Sequence, residues 1–338
     1  MSEYVHTMGK MDVGHIGEWK LIELIRAKLD LPSSEEILVD IGDDAACVRL
    51  EGLSLLTTDS YVQDVHFDPR HYNFYEIGYR CLACSLSDVA AMGGKPRFVL
   101  ISLQLPPHTT VLSVEQLYSG LLELASKFDF RIVGGDTVRA KDIGLVCTVI
   151  GWTDRAVERS GAKAGDAICV TGELGSSSLG LHLLNLESQR PECAPFVQTH
   201  KRPVPRINEG RILASSQVVN AMIDISDGLA LDLHHLTEES RVGAVIHYES
   251  LPINGELKAL AEEYGSSPLD FVLYGGEDYE LLFTLPSSEK DRIAREVEVH
   301  TGTRITEIGH IVAEKKIQLE KNGKLVPLPR RGYDHFRN

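Results

Sequence analysis

Val219-Asn-Ala-Met-Ile-Asp-Ile-Ser-Asp-Gly-Leu229 runs from apolar residues into two acids three positions apart, and then into a helix-like run over Gly228–Glu239. A strand ending in small residues and carboxylates, followed by a helix, is one unit of a mixed fold. The same local pattern recurs in Val39-Asp-Ile-Gly-Asp-Asp44, Leu56-Thr-Thr-Asp-Ser60, Ile132-Val-Gly-Gly-Asp-Thr137 and Leu273-Tyr-Gly-Gly-Glu-Asp278. Asp88, in Ser85-Leu-Ser-Asp88, adds an acid on a long helix-like run, Phe74–Met92. An ordinary turn accounts for any single instance, because Asp caps helices and Gly supplies positive φ. The recurrence points instead to a shared acidic site. Mg²⁺ takes oxygen donors, commonly one or two carboxylates completed by waters and substrate phosphates. Asp224 sits inside the apolar run, where an unpaired carboxylate is costly. Asp227 has helix N-capping as its competing role.

Around these turns the chain alternates strands and helices. Strands are expected at Glu36–Ile41, Ala45–Leu50, Leu53–Thr58, Phe98–Leu105, Arg131–Val133, Ile143–Trp152, Ala167–Thr171, Val242–Tyr248, Phe271–Leu273 and Glu280–Leu285. Gly134-Gly135-Asp136 and Gly275-Gly276 are read as turns between strands. A helix over Ser113–Lys127 is assigned a capping box of Ser113 with Gln116. Pro191–Pro205 reads as irregular, and Asn322-Gly323 as a hairpin turn. The Gly172–Gly180 loop before a helix has backbone N–H groups able to cradle phosphate. At roughly 100–200 residues per domain, 338 residues suggest two. The polar stretch Thr153–Gly165 divides a loose tail (1–16) and an N-terminal domain (17–153) from a C-terminal α/β domain (154–338).

The acidic balance excludes partners. With 34 Lys+Arg against 49 Asp+Glu, the net charge is −15, which disfavours nucleic acid and anionic lipid. No apolar run reaches membrane-spanning length, and the start lacks a secretory h-region. The six cysteines lie in apolar or helical segments, and Cys81-x-x-Cys84 has no second pair at zinc spacing. Buried thiols in a reducing cytoplasm follow. There is no P-loop, no kinase H-R-D with D-F-G, and no G-x-S-x-G.

Taken together, Ile41-Gly-Asp-Asp-Ala-Ala46, Thr57-Thr-Asp-Ser-Tyr-Val-Gln-Asp-Val-His-Phe67, Ser85-Leu-Ser-Asp-Val-Ala-Ala-Met-Gly93, Val133-Gly-Gly-Asp-Thr137, Arg159-Ser-Gly-Ala-Lys-Ala-Gly-Asp166, Asp224-Ile-Ser-Asp-Gly-Leu229, Gly276-Glu-Asp-Tyr-Glu-Leu281 and Gly332-Tyr-Asp-His-Phe336 resemble the thiamine-monophosphate kinase family. They occur in the same order and span residues 17–336. The resemblance implies an α+β (mixed α/β), two-domain fold like that of aminoimidazole ribonucleotide synthetase. In a homodimer the N-terminal sheets would pair into a shared barrel. It implies ATP- and Mg²⁺-dependent phosphorylation of thiamine monophosphate to thiamine diphosphate, the last step of that cofactor's synthesis, with ATP between the two halves. By the same resemblance Asp44, Thr57, Thr58, Asp59, Asp88, Asp136, Asp224 and Asp227 are metal-site positions. Tyr118, Gly135, Asp136, Arg159 and Ser226 are ATP-contacting positions, and His66, Glu277 and Tyr333 contact thiamine phosphate.

The implied chemistry needs no protein acid or base, because a phosphate monoester is already anionic. Its obstacle is repulsion between two polyanions, about 4 kcal/mol per unit-charge pair at 4 Å and an effective dielectric near 20. Two alternatives stay open at this stage. One is another enzyme of the superfamily. Selenophosphate synthetase and the hydrogenase maturation protein need terminal reactive residues that this chain lacks, and aminoimidazole ribonucleotide synthetase differs at Gly276–Leu281 and Gly332–Phe336. The other is a non-catalytic, metal-dependent nucleotide sensor.

Overall fold

The computed structural model describes residues 11–29, 35–39, 47–50, 52–333 and 335. The chain is mixed α/β and divides into two units. The first runs to Val89 and resumes over Lys95–Thr153; the second comprises Ala90–Gly94 and Asp154 onward.

In the first unit, β1 (Ile37–Val39) and β2 (Cys47–Val48) form a small ladder. β3 (Leu53–Val62), β4 (Lys95–Leu105), β5 (Arg131–Arg139) and β6 (Gly144–Thr153) form a four-stranded sheet in the order β3-β6-β4-β5. Only β4 and β5 run parallel, and α3 (Val111–Phe128) crosses between them. α2 (Phe74–Ala91) is the other long helix. Val99, Ile101 and Leu103 bury one face of β4, while Leu56, Leu100 and Val138 are exposed. The period of two makes this a half-covered sheet. α2 and α3 touch backbone to backbone. A Cβ on Gly78 would lie 2.1 Å from the Leu117 carbonyl oxygen, and one on Gly120 2.1 Å from that of Tyr75.

Several sequence expectations change here. β5 continues through Gly134-Gly135-Asp136, because its ladder to β4 extends as far as Arg139; there is no turn at the two glycines. Asp59 likewise lies within β3, paired to Cys147. Both acids therefore sit inside strands. The cap of α3 is Thr110, whose hydroxyl accepts from the Ser113 amide, one turn earlier than Ser113 with Gln116. Residues 11–16, expected to be a loose tail, are held by Val13 N–H to Thr109 O and Gly14 N–H to Pro107 O. A helix, α1 (Glu18–Lys28), follows them.

The second unit is built on a seven-stranded sheet in the order β13-β12-β9-β11-β7-β10-β8. Its strands are β7 (Asp166–Thr171), β8 (Ala221–Asp224), β9 (Gly243–His247), β10 (Leu281–Pro286), β11 (Ile305–Val312), β12 (Ile317–Lys321) and β13 (Lys324–Pro327). The helices are α4 (Ser176–Asn185), α5 (Ala194–Lys201), α6 (Ile207–Ser215), α7 (Leu229–Ser240), α8 (Gly255–Glu263), α9 (Pro268–Tyr274) and α10 (Lys290–Thr301). Strands β7 and β10, and the edge strand β8 beside them, are almost wholly buried, and their apolar side chains join Leu229, Leu233 and Leu236 of α7 in one core. The Asn322-Gly323 hairpin joins β12 to β13 as expected. Phe271–Leu273 belongs to α9, not a strand: Pro268 opens it at a favoured first-turn position. The proline-rich 191–205 stretch contains α5 for the same reason, with Pro195 in its first turn. Cys47 is exposed, unlike the buried thiol expected.

The α2–α3 crossing makes a direct prediction. Gly78→Ala and Gly120→Ala should each destabilise the protein by about 1–3 kcal/mol through overpacking, measured by urea unfolding. A loss below about 0.5 kcal/mol for both would contradict the contact.

Candidate active site

The first unit brings Thr57, Asp59 and Asp88 together. Alternation along β3 turns Leu55, Thr57, Asp59 and Tyr61 to the more buried side and Leu56, Thr58 and Ser60 to the exposed side. Ser85 and Asp88 are three apart on α2, and so share a face. The Thr57 hydroxyl donates to Asp88 Oδ2 at 2.5 Å. Burial, and next the Asp88 carboxylate, push the Asp59 carboxyl up to about 6, against a lowering hydrogen bond from the Ser85 side chain. Two carboxylates compete for one partly buried space.

Thr58 and Asp136 lie apart from that pair. The Thr58 side chain is on the opposite sheet face, 3.0 Å from the Thr148 hydroxyl. Asp136 is exposed on β5, the sheet edge opposite β3, and its Oδ1 accepts from the Thr137 amide. Gly135 has φ +156°, and a Cβ there would sit 1.8 Å from the Ile101 carbonyl oxygen; packing alone requires glycine. Tyr118 is 4% exposed in the core, and burial pushes its phenol up. His66 follows β3, its Nδ1 accepting from the Val62 amide at 3.0 Å. Asp44 lies outside the described residues.

The second unit gathers Asp224, Ser226, Asp227, Glu277 and Tyr333 through its backbone. The 225–227 segment and the 277–280 loop are joined by Ile225 N–H to Glu280 O, Glu277 N–H to Ser226 O (2.7 Å) and Tyr279 N–H to Ile225 O. Tyr333 N–H donates to Asp227 O. Glycines permit the approach: a Cβ on Gly276 would lie 2.5 Å from Ser226 O, and one on Gly332 2.5 Å from Asp227 O. Glu277 and Tyr279 both hold positive φ, 58° and 51°, a strained geometry for non-glycine residues and a mark of functional sites. Tyr333 is 41% exposed and stands edge-on to His335. Arg159 is exposed, and its carbonyl accepts from Ser240.

Asp227 does not cap α7. Gly228 holds that position, with no side-chain cap bond, and the amides of Asp227 and Gly228 both donate to Asp232 Oδ2 at 3.1 Å. The competing structural role of Asp227 is thus filled by Asp232, which the sequence reading missed. Its only signal was an acid in the first turn of the helix. Burial, then Asp224 and Asp227, hold the Asp232 carboxyl well above the usual range. Also missed was Asp278, which accepts from the Gly175 amide through both oxygens, at 3.1 and 2.9 Å. The N-terminus of α4, whose amides could have cradled phosphate, is already occupied by this side chain of the protein's own. Glu280 is fixed by Arg206, with Nε to Oε2 at 2.7 Å, and by the Thr171 hydroxyl.

Among the described residues no set of three or more His, Cys, Asp or Glu side chains is arranged to hold a metal ion. In the first unit Asp59 and Asp88 come as a pair with the Thr57 and Ser85 hydroxyls beside them, and in the second Asp232 has Asp224 and Asp227 near it. That all-oxygen, incomplete donor set fits Mg²⁺, which keeps waters and takes substrate phosphates. It does not fit the thiolate and imidazole preferences of softer metals. No described helix is long and apolar enough to cross a membrane.

Comparison with known proteins extends this picture. The AIR synthase related protein family matches with its N-terminal domain over residues 42–153 and its C-terminal domain over 163–322. The thiamine-monophosphate kinase of Aquifex aeolicus (strain VF5) is 40% identical, over 82% of this chain and 88% of that protein. The thiamine-monophosphate kinase of Bacillus subtilis (strain 168) is 36% identical, over 95% of this chain and 99% of that one. A solved structure of AaThiL complexed with AMPPCP and TMP superposes with a TM-score of 0.76 at 37% identity, covering 96% of this chain and 99% of that chain.

Asp278 gives this site a pH signature. Burial pushes its carboxyl up to about 8, against lowering hydrogen bonds from the Gly175 and Ser177 amides. A folded-state pKa above the unfolded value means that the native state binds more protons, so this group's contribution to stability falls as pH rises from about 4 towards 8. Asp278→Asn removes the titration. Its stability relative to the parent, from urea unfolding, should therefore improve between pH 5 and pH 8. A constant difference at the two pH values would contradict the assignment.

Proposed function

The chain belongs to the thiamine-monophosphate kinase family, and from that premise we propose that its clustered carboxylates serve phosphoryl transfer from ATP to thiamine monophosphate. The product is thiamine diphosphate, and ATP is the co-substrate. The observation that carries the reading is the backbone-laced cluster of Asp224, Ser226, Asp227, Glu277 and Tyr333 in a chain whose relatives bear that name. AMPPCP, bound in the AaThiL complex, is a methylene analogue of ATP, and TMP is the expected acceptor.

The substrate phosphate oxygen forms a bond to the γ-phosphorus as the bond from that phosphorus to the β,γ-bridging oxygen breaks, and ADP leaves with the electron pair. The nucleophile is anionic without help, so no side chain has to remove a proton, and no phosphoenzyme forms. Thr57, Asp59 and Asp88 of the first unit would hold Mg²⁺, and so, independently, would Asp224 and Asp227 of the second; Asp44, Thr58 and Asp136 are proposed as further metal-site positions. When bound, the metal supplies charge neutralisation and alignment of the phosphates. Glu277 offers a carboxylate to the cationic thiazolium, Tyr333 an aromatic face, and His66 a further contact. Arg159, Ser226, Gly135 and Tyr118 are proposed to line the ATP site. Residues 17–153 form the metal- and dimer-forming domain and 154–338 the C-terminal domain. The ATP requirement and the free thiols support a cytoplasmic enzyme.

We further propose a homodimer. Asp59 is on edge strand β3 and Asp136 on edge strand β5, three strand steps apart. At 4.7–4.9 Å per step that is about 14 Å, too far for one ion. The sheet also exposes Leu56, Leu100 and Val138, with Leu56 73% accessible. Pairing two such sheets into a barrel would cover these side chains, satisfy both edges, and bring the partner subunit's β5, which carries Asp136, to the β3 edge that carries Asp59.

Two outcomes test this. Asp88→Asn and Asp227→Asn should each lower thiamine diphosphate formation at least a hundredfold with unchanged thermal melting; parental turnover in both would sink the metal assignment. Asp59→Asn and Asp136→Asn, each inactive alone, should regain about a quarter of parental activity when coexpressed. About half of the randomly paired dimers would be mixed, and each mixed dimer would carry one intact site of its two. No recovery would place both acids in the site of a single chain.

A further inference from the structure

His200, on α5, takes no part in the residue set above, yet it is 0% exposed and lies against that set. Its Nδ1 is 3.1 Å from the Ser177 hydroxyl and 3.7 Å from Glu277 Oε2. The sequence explains how a helix residue reaches this place. Ser177 and Gly180 are three apart on one face of α4. A Cβ on Gly180 would lie 2.1 Å from the Phe196 carbonyl oxygen and 2.9 Å from the His200 Cβ. The missing side chain lets α5 close on α4, and His200, one turn beyond Phe196, is thereby fixed against Ser177. The other side of Glu277 is held by its amide bond to Ser226 O. Gly275 leaves no slack beneath it, since a Cβ there would meet Ser178 Oγ at 1.9 Å.

We propose that His200 is a positioning residue for the thiamine monophosphate site: with Ser177 it walls the Glu277 carboxylate into the orientation that receives the cationic ring. The inference rests on the reading of Glu277 as a substrate contact. A carboxylate on a loop loses rotamer freedom on binding, and that loss weakens affinity. An imidazole fixed by a neighbouring hydroxyl removes the freedom beforehand, as a supporting shell does for any binding group. His200 touches no substrate in this scheme. Its effect is confined to the affinity for one of the two substrates.

Steady-state kinetics with both substrates varied tests this. His200→Leu, close in volume but without the ring nitrogens, should raise KM for thiamine monophosphate about tenfold, leaving kcat and KM for ATP within about twofold. His200→Asn, which keeps a polar atom near the Nδ1 position, should recover most of that loss. The double variant His200→Leu with Glu277→Gln should be no worse than Glu277→Gln alone, because the two residues act as one unit. An equal rise in both KM values, or Asn behaving like Leu, would overturn the proposal. If Glu277→Gln raises KM for thiamine monophosphate and His200→Leu does not, the His200 role alone fails. If Glu277→Gln leaves that KM unchanged, the reading of Glu277 fails. Should His200→Leu not fold, Ser177→Ala carries the test: a rise confined to KM for thiamine monophosphate supports the role, and a shift in both KM values opposes it.

Discussion

Like charges held close are the constraint on which this structure turns. Asp59 faces Asp88 in one unit, and Asp232 is crowded by Asp224 and Asp227 in the other. Each pairing is unfavourable on its own terms, because burial and a neighbouring carboxylate both penalise the charged form. A fold tolerates this where the charges have work to do. On the proposed reading, bound divalent cations would relieve this repulsion in each unit. The phosphates of two substrates repel one another for the same electrostatic reason that these carboxylates do, and cations would relieve that repulsion as well. The net charge of −15 is then no bar to binding phosphates. Only a few of the acids belong to these two groups, and those are the ones proposed to recruit metal.

Rigid backbone supports the second of these groups. Three hydrogen bonds lace the 225–227 segment to the 277–280 loop, and a fourth brings in Tyr333. Gly276 and Gly332 allow contacts that a side chain would block. Asp278, Arg206 and Thr171 fix the loop from behind. The left-handed backbone at Glu277 is affordable because so many neighbours determine it. Small residues do similar work in the first unit, where Gly78 and Gly120 let α2 and α3 meet.

What could be read in the sequence divides along physical lines. Asp224 and Asp227 were legible because a carboxylate inside an apolar strand and another at a helix start are local features. The two-unit α/β plan and the Asn322-Gly323 hairpin were legible for the same reason. Gly134-Gly135-Asp136 was misread as a turn because its extended form comes from pairing with β4, a partner distant in sequence. Phe271–Leu273 was misread because a short apolar run fits helix and strand equally until Pro268 is weighed. Asp232 and His200 were illegible as site residues. Each acts through a contact with another element, and nothing in its own neighbourhood announces that. The separation of Asp59 from Asp136 needed the strand order.

The most direct test of the central claim is formation of thiamine diphosphate from ATP and thiamine monophosphate, followed by chromatography while Mg²⁺ is titrated into chelator-treated enzyme. The account predicts no product without metal, and product rising to saturation as Mg²⁺ is restored. Undiminished product in the presence of chelator, or none at saturating Mg²⁺ with the protein folded, would contradict it.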